Sequence, residues 1–253
     1  MSMSPRLLRP RASGGFTPKT ISGLGIWLDA TDTSSLTFNG DTVSEWRDIS
    51  GNARHFAQAS AALQPNAVTN TINNKRSLTF TAGDMQSATG KGIARNVAGI
   101  TLFAVMRKTN VNDGIVWYAS RNGSNSQFRC GFQVISGSWQ VGGRRLDADS
   151  FDGVTYSATN RLGPAVFANV YDYGNAKAFG YFNGSLLATD DPFHAAGNTS
   201  DTDSDQVSIG ANVSSSVLGG SIGEIIVYRR ALTATERVTV ERYLGAKWGV
   251  TVA

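Results

Sequence analysis

The chain has 253 residues, of which 41% are hydrophobic and 17% are charged, a balance that argues against a disordered protein. This length suits one large all-β domain, although two small domains would also fit. The 28 glycines, against six prolines, and the Asn-Gly pairs at positions 39–40, 122–123 and 183–184 indicate many tight β-hairpin turns. The totals therefore favour an all-β fold.

Cys130 is the only cysteine, so neither an intramolecular disulfide nor a multi-cysteine metal site can form. The basic N-terminus lacks the apolar stretch of about 7–15 residues that a secretory signal requires. No run of residues approaches transmembrane length. We therefore expect a soluble protein that folds in a reducing cytoplasm and can reach the outside by cell lysis.

The net charge of +4 is concentrated near the N-terminus. Residues 1–20 hold Arg6, Arg9, Arg11 and Lys19 and no acidic residue, whereas the rest of the chain has 19 basic and 19 acidic residues. A neutral body lacks the concentrated basic face with stacking aromatics that nucleic-acid binding needs. We interpret residues 1–20 as a flexible arm that docks on an acidic protein surface, with a leader of no role as the alternative.

The body, residues 21–253, contains short apolar or alternating segments separated by turn signals. Strands are predicted at residues 24–29, 43–48, 77–80, 100–108, 114–120, 128–136, 139–141, 165–171, 178–182, 185–189, 206–209 and 219–228. Many short strands without intervening helices predict an all-β antiparallel sandwich or jelly roll.

Segment 128–136 shows the clearest alternation. Phe128, Cys130, Phe132 and Val134 fall on one face of the predicted strand. This period of two predicts a half-buried antiparallel strand.

One helix is predicted, at the C-terminal end. Thr233 and Glu236 fit a capping box, and Gly249 ends the pattern. Between them, apolar residues recur at helical spacing: Val240, Tyr243, Leu244 and Trp248. We expect this stripe to pack against the sheet, with partner binding as the alternative.

Several segments resemble a known family. Residues 24–30 (LGIWLDA) and 43–52 (VSEWRDISGN) resemble the beginning of laminin-G-like jelly-roll domains of bacteria and phages. Residues 220–233 (GSIGEIIVYRRALT) resemble their closing strand, and residues 74–80 fall where the family has another strand. The resemblance spans about residues 21–250 and implies a concanavalin-A-like sandwich.

The leader at residues 4–11 is similar to those of virion structural proteins of tailed phages. This likeness implies a virion-surface protein, either a capsid decoration or a tail or head-fibre component, whose arm binds other virion proteins. Such proteins are usually homo-oligomers, most often trimers, because multivalency strengthens weak contacts. The fold alone does not choose between functions, so a soluble carbohydrate-binding adhesin and a divergent glycoside hydrolase stay open as alternatives.

Polysaccharide hydrolysis requires two carboxylates held across the scissile bond. The strand motif Glu-x-Asp-x-x-Glu, which the resemblance would imply for a glucanase, is absent from the sequence. The only glutamates, none with a partner carboxylate at that spacing, are Glu45, Glu224, Glu236 and Glu241. The pattern G-x-S-x-G at 219–223 precedes a predicted strand and lies downstream of both histidines, unlike a serine nucleophile. We predict a protein without enzymatic activity.

Two sets of residues are candidates for binding sites. Asp201, Asp203 and Asp205 offer alternating carboxylates of the type that calcium favours, with a solvated acidic loop as the alternative. No other cofactor is expected. Host glycans would be bound by exposed aromatic faces beside polar groups. The aromatic candidates, with core packing as the alternative, are Trp117, Tyr118, Trp139, Tyr171 and Tyr173.

Overall fold

The computed structural model describes residues 15–67, 71–121, 127–211 and 216–253. This part of the chain contains sixteen strands and one α-helix. The strands are β1 Leu24–Asp29, β2 Leu36–Asn39, β3 Thr42–Trp46, β4 Phe56–Ala57, β5 Leu78–Phe80, β6 Met85–Gln86, β7 Ile100–Lys108, β8 Gly114–Ser120, β9 Phe128–Ile135, β10 Ser138–Gly143, β11 Asp152–Ser157, β12 Gly163–Asp172, β13 Lys177–Phe182, β14 Ser185–Asp190, β15 Gln206–Ile209 and β16 Gly220–Tyr228. The helix α1 is Ala234–Trp248.

The strands form two antiparallel sheets that pack face to face. One sheet has seven strands in the order β1-β16-β7-β12-β13-β14, with β5 also paired to β16. The other has nine strands in the order β11-β10-β9-β8-β15-β6-β4-β3-β2. The predicted all-β sandwich of jelly-roll type, with one C-terminal helix, is confirmed.

The inner faces of the two sheets enclose one apolar core. At its centre, the rings of Phe132, Trp139 and Phe167 lie 4.7 to 5.2 Å apart between centroids. Such ring pairs add roughly 0.5–1.5 kcal/mol each beyond the burial of their area. Cys130 is buried in the same core as a free thiol. Hydrophobic packing therefore joins the sheets without a disulfide.

Helix α1 begins and ends where the sequence predicts. The hydroxyl of Thr233 accepts a bond from the backbone N–H of Glu236 at 3.3 Å, and the Glu236 carboxylate accepts one from the backbone N–H of Thr233 at 3.0 Å. Gly249 ends the helix in the left-handed conformation. The apolar stripe packs on the outer face of the seven-stranded sheet through Val240, Leu244 and Trp248. Its predicted core role is confirmed, and no described helix is long and apolar enough to cross a membrane.

A buried ionic network joins α1 to β1 and β16. The fully buried carboxylate of Glu224 accepts bonds from Trp27 Nε1 at 2.7 Å and Trp248 Nε1 at 2.6 Å. It also forms an ion pair with Lys247, whose Nζ lies 2.6 Å from Glu224 Oε2 and 2.5 Å from Asp29 Oδ2. Lys247 lies in the last turn of α1, where the helix dipole favours a cation. These contacts hold the helix on the sheet.

Strand β9 differs from the predicted half-buried strand, because all but its last residue are buried and both of its faces are therefore covered. The ladder between β8 and β9 skips Arg129, which forms a bulge. The bulge places Phe128 on the outer face, where its ring stacks on Tyr118 at 4.9 Å between centroids. The inner face keeps the rest of the predicted set: Cys130, Phe132 and Val134.

Two of the three Asn-Gly pairs lie in hairpin connections between strands, as the sequence predicts. Asn183 and Gly184 have φ values of 48° and 84° and join β13 to β14 in a two-residue turn. The pair at 39–40 lies between β2 and β3, and the pair at 122–123 lies outside the described residues.

Candidate functional site

Charged residues from separate segments meet at one end of the sandwich. The contributing segments are the ends of β8 and β9, the loop between β10 and β11, and the loops before β7 and β15. We define the arginine–aspartate cluster as Arg95, Arg121, Arg129, Arg144, Arg145, Asp147, Asp149, Asp201, Asp203 and Asp205.

The three aspartates predicted to bind calcium belong to this cluster. Asp201 lies 2.8 Å and Asp203 lies 3.7 Å from the guanidinium of Arg95, and Asp205 lies 3.0 Å from that of Arg121. Among the described residues, no group of three or more histidine, cysteine, aspartate or glutamate side chains is placed to hold a metal ion. The three carboxylates face arginines and not one another, and calcium binding by them stays a prediction.

The cluster is built on a buried arginine. Arg129 lies 2.7 Å from the carboxylate of Asp147 and also donates to the carbonyl and hydroxyl of Thr202. Although partial burial acts to raise it, the pKa of Asp147 is lowered by hydrogen bonds from Thr202 and Arg129. On the core side of the cluster, the buried hydroxyl of Tyr173 donates to the backbone carbonyl of Arg129. These contacts fix the loop after β10 against the loop before β15.

The aromatic residues expected at a glycan surface are fully buried: Trp117, Tyr118, Trp139, Tyr171 and Tyr173. Trp117 and Trp139 lie in the inner core because strand alternation turns them inward, and Tyr118 lies under Phe128. Tyr171 donates its hydroxyl to the Gly131 carbonyl at 2.6 Å. The expectation of exposed aromatic faces is therefore wrong for this set, and Tyr171 and Tyr173 instead support the cluster from inside.

The candidate docking arm is described only at its end. Arg6, Arg9 and Arg11 lie outside the described residues. Lys19 is exposed in a short 3-10 turn, Pro18–Thr20. Pro18 is buried, and its carbonyl accepts a bond from the hydroxyl of Tyr228 at 2.9 Å. The last residues of the predicted arm thus rest on the sandwich.

A polar pocket of about 200 Å³ opens beside the cluster, on the outer face of the nine-stranded sheet. We call it the Lys91 pocket, and its lining consists of Gln86, Ser87, Ala88, Lys91, Asp205, Gln206 and Val207. Met85 and Ile209 point into the core, so strand alternation turns Gln86 and Gln206 outward. The walls therefore combine two amides, a hydroxyl, an ammonium and a carboxylate.

The Lys91 pocket is supported by a second layer of hydrogen bonds. Gln206 Nε2 donates to Ser208 Oγ at 3.4 Å, and the Ser208 hydroxyl donates to the buried carboxylate of Asp84 at 2.8 Å. The pocket is smaller than the range of about 300–1,000 Å³ typical for drug-sized ligands. Its size and its mixture of donors and acceptors suit one small, hydroxyl-rich unit. Sequence reasoning missed Lys91 and Gln206, although the alternation of β15 already turns Gln206 outward.

A second, shallower pocket of about 470 Å³ lies at the opposite end of the sandwich. We call it the Phe182 pocket, and it is lined by Thr159, Asn160, Arg161, Phe182, Asn183, Ser185 and Leu187. The guanidinium of Arg161 already lies over the Phe182 ring, 5.9 Å from its centroid. This pocket is one competing place for a ligand.

The four glutamates and the serine of the G-x-S-x-G pattern take part in structural contacts. The glutamates pair as follows: Glu45 with Arg47, Glu224 with Lys247, Glu236 with Arg230, and Glu241 with Arg237. Ser221, in the G-x-S-x-G pattern, shares a hydrogen bond of 2.9 Å with the hydroxyl of Thr79 inside the sheet. Among the described residues, the lining of the Lys91 pocket holds one carboxylate, Asp205. Glycoside hydrolysis needs two.

No protein-family model matches the sequence, and no curated protein matches it. Solved structures do match. The binding domain of botulinum neurotoxin serotype D has a TM-score of 0.61 and 10% identity over 88% of this chain and 51% of that chain. Trypanosoma rangeli sialidase in complex with a difluoro-KDN sugar has a TM-score of 0.59 and 15% identity over 92% of this chain and 34% of that chain.

A further match is a botulinum neurotoxin type C structure, with a TM-score of 0.57 and 12% identity over 88% of this chain and 51% of that chain. This chain therefore spans about half the length of the toxin chains and a third of the sialidase chain. At these identities the likeness shows the fold. The protein is an all-β, two-sheet sandwich of the jelly-roll class, and this part of the resemblance seen in the sequence is confirmed.

Proposed function

We propose that this chain is a glycan-binding β-sandwich module that acts without catalysis. The Lys91 pocket is the observation that carries the proposal. Its amides and its ammonium can bond sugar hydroxyls, and its lining holds a single carboxylate. Two structures with this fold support the proposal: neurotoxin type C is described as entering cells through two ganglioside molecules, and Trypanosoma rangeli sialidase was solved with sialic acid.

Binding places one sugar unit in the Lys91 pocket. Gln86 and Gln206 each offer a donor and an acceptor to ring hydroxyls, and Lys91 offers donors from the rim. The neighbouring polar side chains of the outer face, Ser208 and Asp84, hold Gln206 in place. Gln86 and Gln206 lie on the paired strands β6 and β15, so their backbone positions are fixed before a ligand binds.

The proposal is tested by a glycan array followed by calorimetric titration of the strongest ligand. The variants Gln206→Ala and Lys91→Ala are each expected to weaken binding by about 10-fold or more, since a lost hydrogen bond to a polar or charged group is worth about 1–3 kcal/mol. Ser185→Ala, at an exposed residue of the Phe182 pocket, is the matched control and should bind as the unchanged protein does. Full affinity in both pocket variants, or a loss confined to Ser185→Ala, contradicts the proposal. Release of sugar from a polysaccharide panel would contradict its non-catalytic part.

We further propose that the module is displayed on a virion, as a capsid decoration or a tail or head-fibre component, and that it assembles as a homo-oligomer, with a trimer favoured. The likeness of residues 4–11 to leaders of tailed-phage virion proteins supports this assignment. The basic residues before position 20 then bind other virion proteins, while the neutral sandwich faces the medium. A soluble adhesin would use the same pocket without needing the arm.

Deleting residues 1–14 tests the virion assignment. This truncation keeps the contacts of Phe16 and Pro18 with the sandwich, whose loss would confuse the result. We expect the truncated chain to keep its melting temperature and its glycan affinity but to be lost from purified particles, because Arg6, Arg9 and Arg11, three of its four attachment charges, are gone. Incorporation equal to that of the full chain would favour the soluble adhesin.

A further inference from the structure

Two arginines meet beside the Lys91 pocket without a carboxylate partner. Arg54 donates through Nη1 to the carbonyl of Gly25 at 2.8 Å. Arg229 donates to the carbonyls of Ile93 at 3.2 Å and Arg95 at 2.9 Å. Gly25 lies between them, since a Cβ built on it would be 3.1 Å from Arg229 Cγ. Within the described ranges, neither guanidinium forms an ion pair with a carboxylate.

The arginine pair and the Lys91 pocket share one surface. They are joined by the short 3-10 helix Lys91–Ala94 and by Gly90 before it. A Cβ on Gly90 would lie 3.9 Å from Arg54 Cβ, and the backbone N–H of Gly90 donates to Ser87 Oγ in the pocket wall at 2.9 Å. Gly90 therefore lies against both the Cβ of Arg54 and the wall of the pocket, and a ligand reaches the guanidinium groups only if a second unit extends past this glycine.

The positive charge of this pair is compensated only in part among the described residues. The carboxylate of Asp48, whose charge acts on Arg54, is buried and accepts bonds from the backbone N–H groups of Trp27 at 2.9 Å, Ser50 at 2.8 Å and Arg54 at 3.0 Å. The pKa of Arg54 is lowered mainly by burial and then by the charge of Arg229, whereas the charge of Asp48 acts to raise it. The two cations thus repel each other in a partly buried setting, which an anion would relieve.

Both side chains keep donors for such an anion. Arg54 Nε and Nη2 and Arg229 Nη1 donate to no group among the described residues. A guanidinium binds the planar carboxylate and the oxygens of sulfate through paired, charge-assisted hydrogen bonds. Neutral sugars offer no such group.

We propose that Arg54 and Arg229 select acidic glycans, by binding the carboxylate or sulfate ester of a sugar whose neighbouring unit occupies the Lys91 pocket. This selectivity rests on the proposed glycan function. In this arrangement the Lys91 pocket binds sugar hydroxyls, and the arginine pair binds the negatively charged group of the neighbouring sugar.

The test compares acidic oligosaccharides with matched neutral ones, using a uronic acid and its carboxyl-reduced form in one arm and a sulfated sugar and its desulfated form in the other. Arg54→Gln and Arg229→Gln are each expected to weaken binding of the acidic member by about 10- to 100-fold and to leave the neutral member unchanged. Arg54→Lys keeps the charge and should retain part of the preference. Arg242→Gln, at an exposed arginine on α1, is the control.

Free glucuronate and free sulfate separate this inference from the glycan function. Stabilisation of the unchanged protein against thermal unfolding by either anion, absent in Arg229→Gln, supports the anion site even if no array glycan binds. Equal affinity for acidic and neutral members, or acidic binding that both arginine variants retain, overturns the inference while leaving the pocket proposal standing. If Arg54→Gln does not fold, Arg54→Lys and Arg229→Gln carry the test.

Discussion

Replacing Glu224 with glutamine is expected to lower the free energy of unfolding by about 3 kcal/mol, because the ammonium of Lys247 keeps only one of its two carboxylate partners, Asp29, and buried donors lose an acceptor. The carboxylate accepts bonds from four donors, which are Trp27, Tyr243, Lys247 and Trp248. In glutamine one oxygen becomes an amide NH₂, which turns a further donor toward them and leaves buried groups unsatisfied. Urea denaturation at an unchanged m value measures the effect.

The surface ion pair between Glu45 and Arg47 is the control for this experiment. Its side chains are 37% and 44% exposed, so Glu45→Gln should change stability by less than about 1 kcal/mol. The double variant Glu224→Gln with Lys247→Met should lose less stability than the sum of the two single variants, since the two residues share one contact. A Glu224 variant no less stable than the Glu45 variant would show that the network does not hold the helix.

A second large effect is expected at Gly210, which follows β15. Its φ of 86° lies in the left-handed region, and a Cβ there would be 2.0 Å from Cδ1 of the buried Phe80 ring. Gly210→Ala should therefore lower the free energy of unfolding by about 3 kcal/mol, through backbone strain together with overpacking of the core. The same denaturation experiment measures it.

Gly40→Ala separates the two causes. Gly40 also has a positive φ, 60°, but nothing lies within 4 Å of a Cβ built on it. Its replacement should show the backbone strain alone, about 1–2 kcal/mol. Equal losses at the two positions would mean that contact with the Phe80 ring contributes nothing.

Alternation and turn residues predict the longer strands well. The bounds of β7, β8 and β15 agree with the sequence prediction to the residue, since each is an apolar or alternating run ended by polar residues. Strands β4 and β6 have two residues each, too few to show any period. Strand β11 is mostly polar, and pairing with all six residues of β10 makes it a strand. The strand conformation of β11 is therefore set by its pairing with β10 and not by its own sequence pattern.

The candidate site is less visible in the sequence, because its parts are far apart along the chain. Lys91 and Gln206 meet only when β6 pairs with β15. The acidic character of the loop before β15 is evident from Asp201 onward, but its partner Arg95 lies more than a hundred residues earlier. Burial of Trp117 and Trp139 follows from which strand face meets the core, and a single sequence does not fix that choice for every strand.

The most direct test of the glycan-binding account is a crystal structure of the full chain with the strongest array ligand. The account predicts one sugar unit in the Lys91 pocket, hydrogen-bonded to Gln86 and Gln206. A ligand bound instead in the Phe182 pocket, or a chain that binds no glycan of the array, would contradict it.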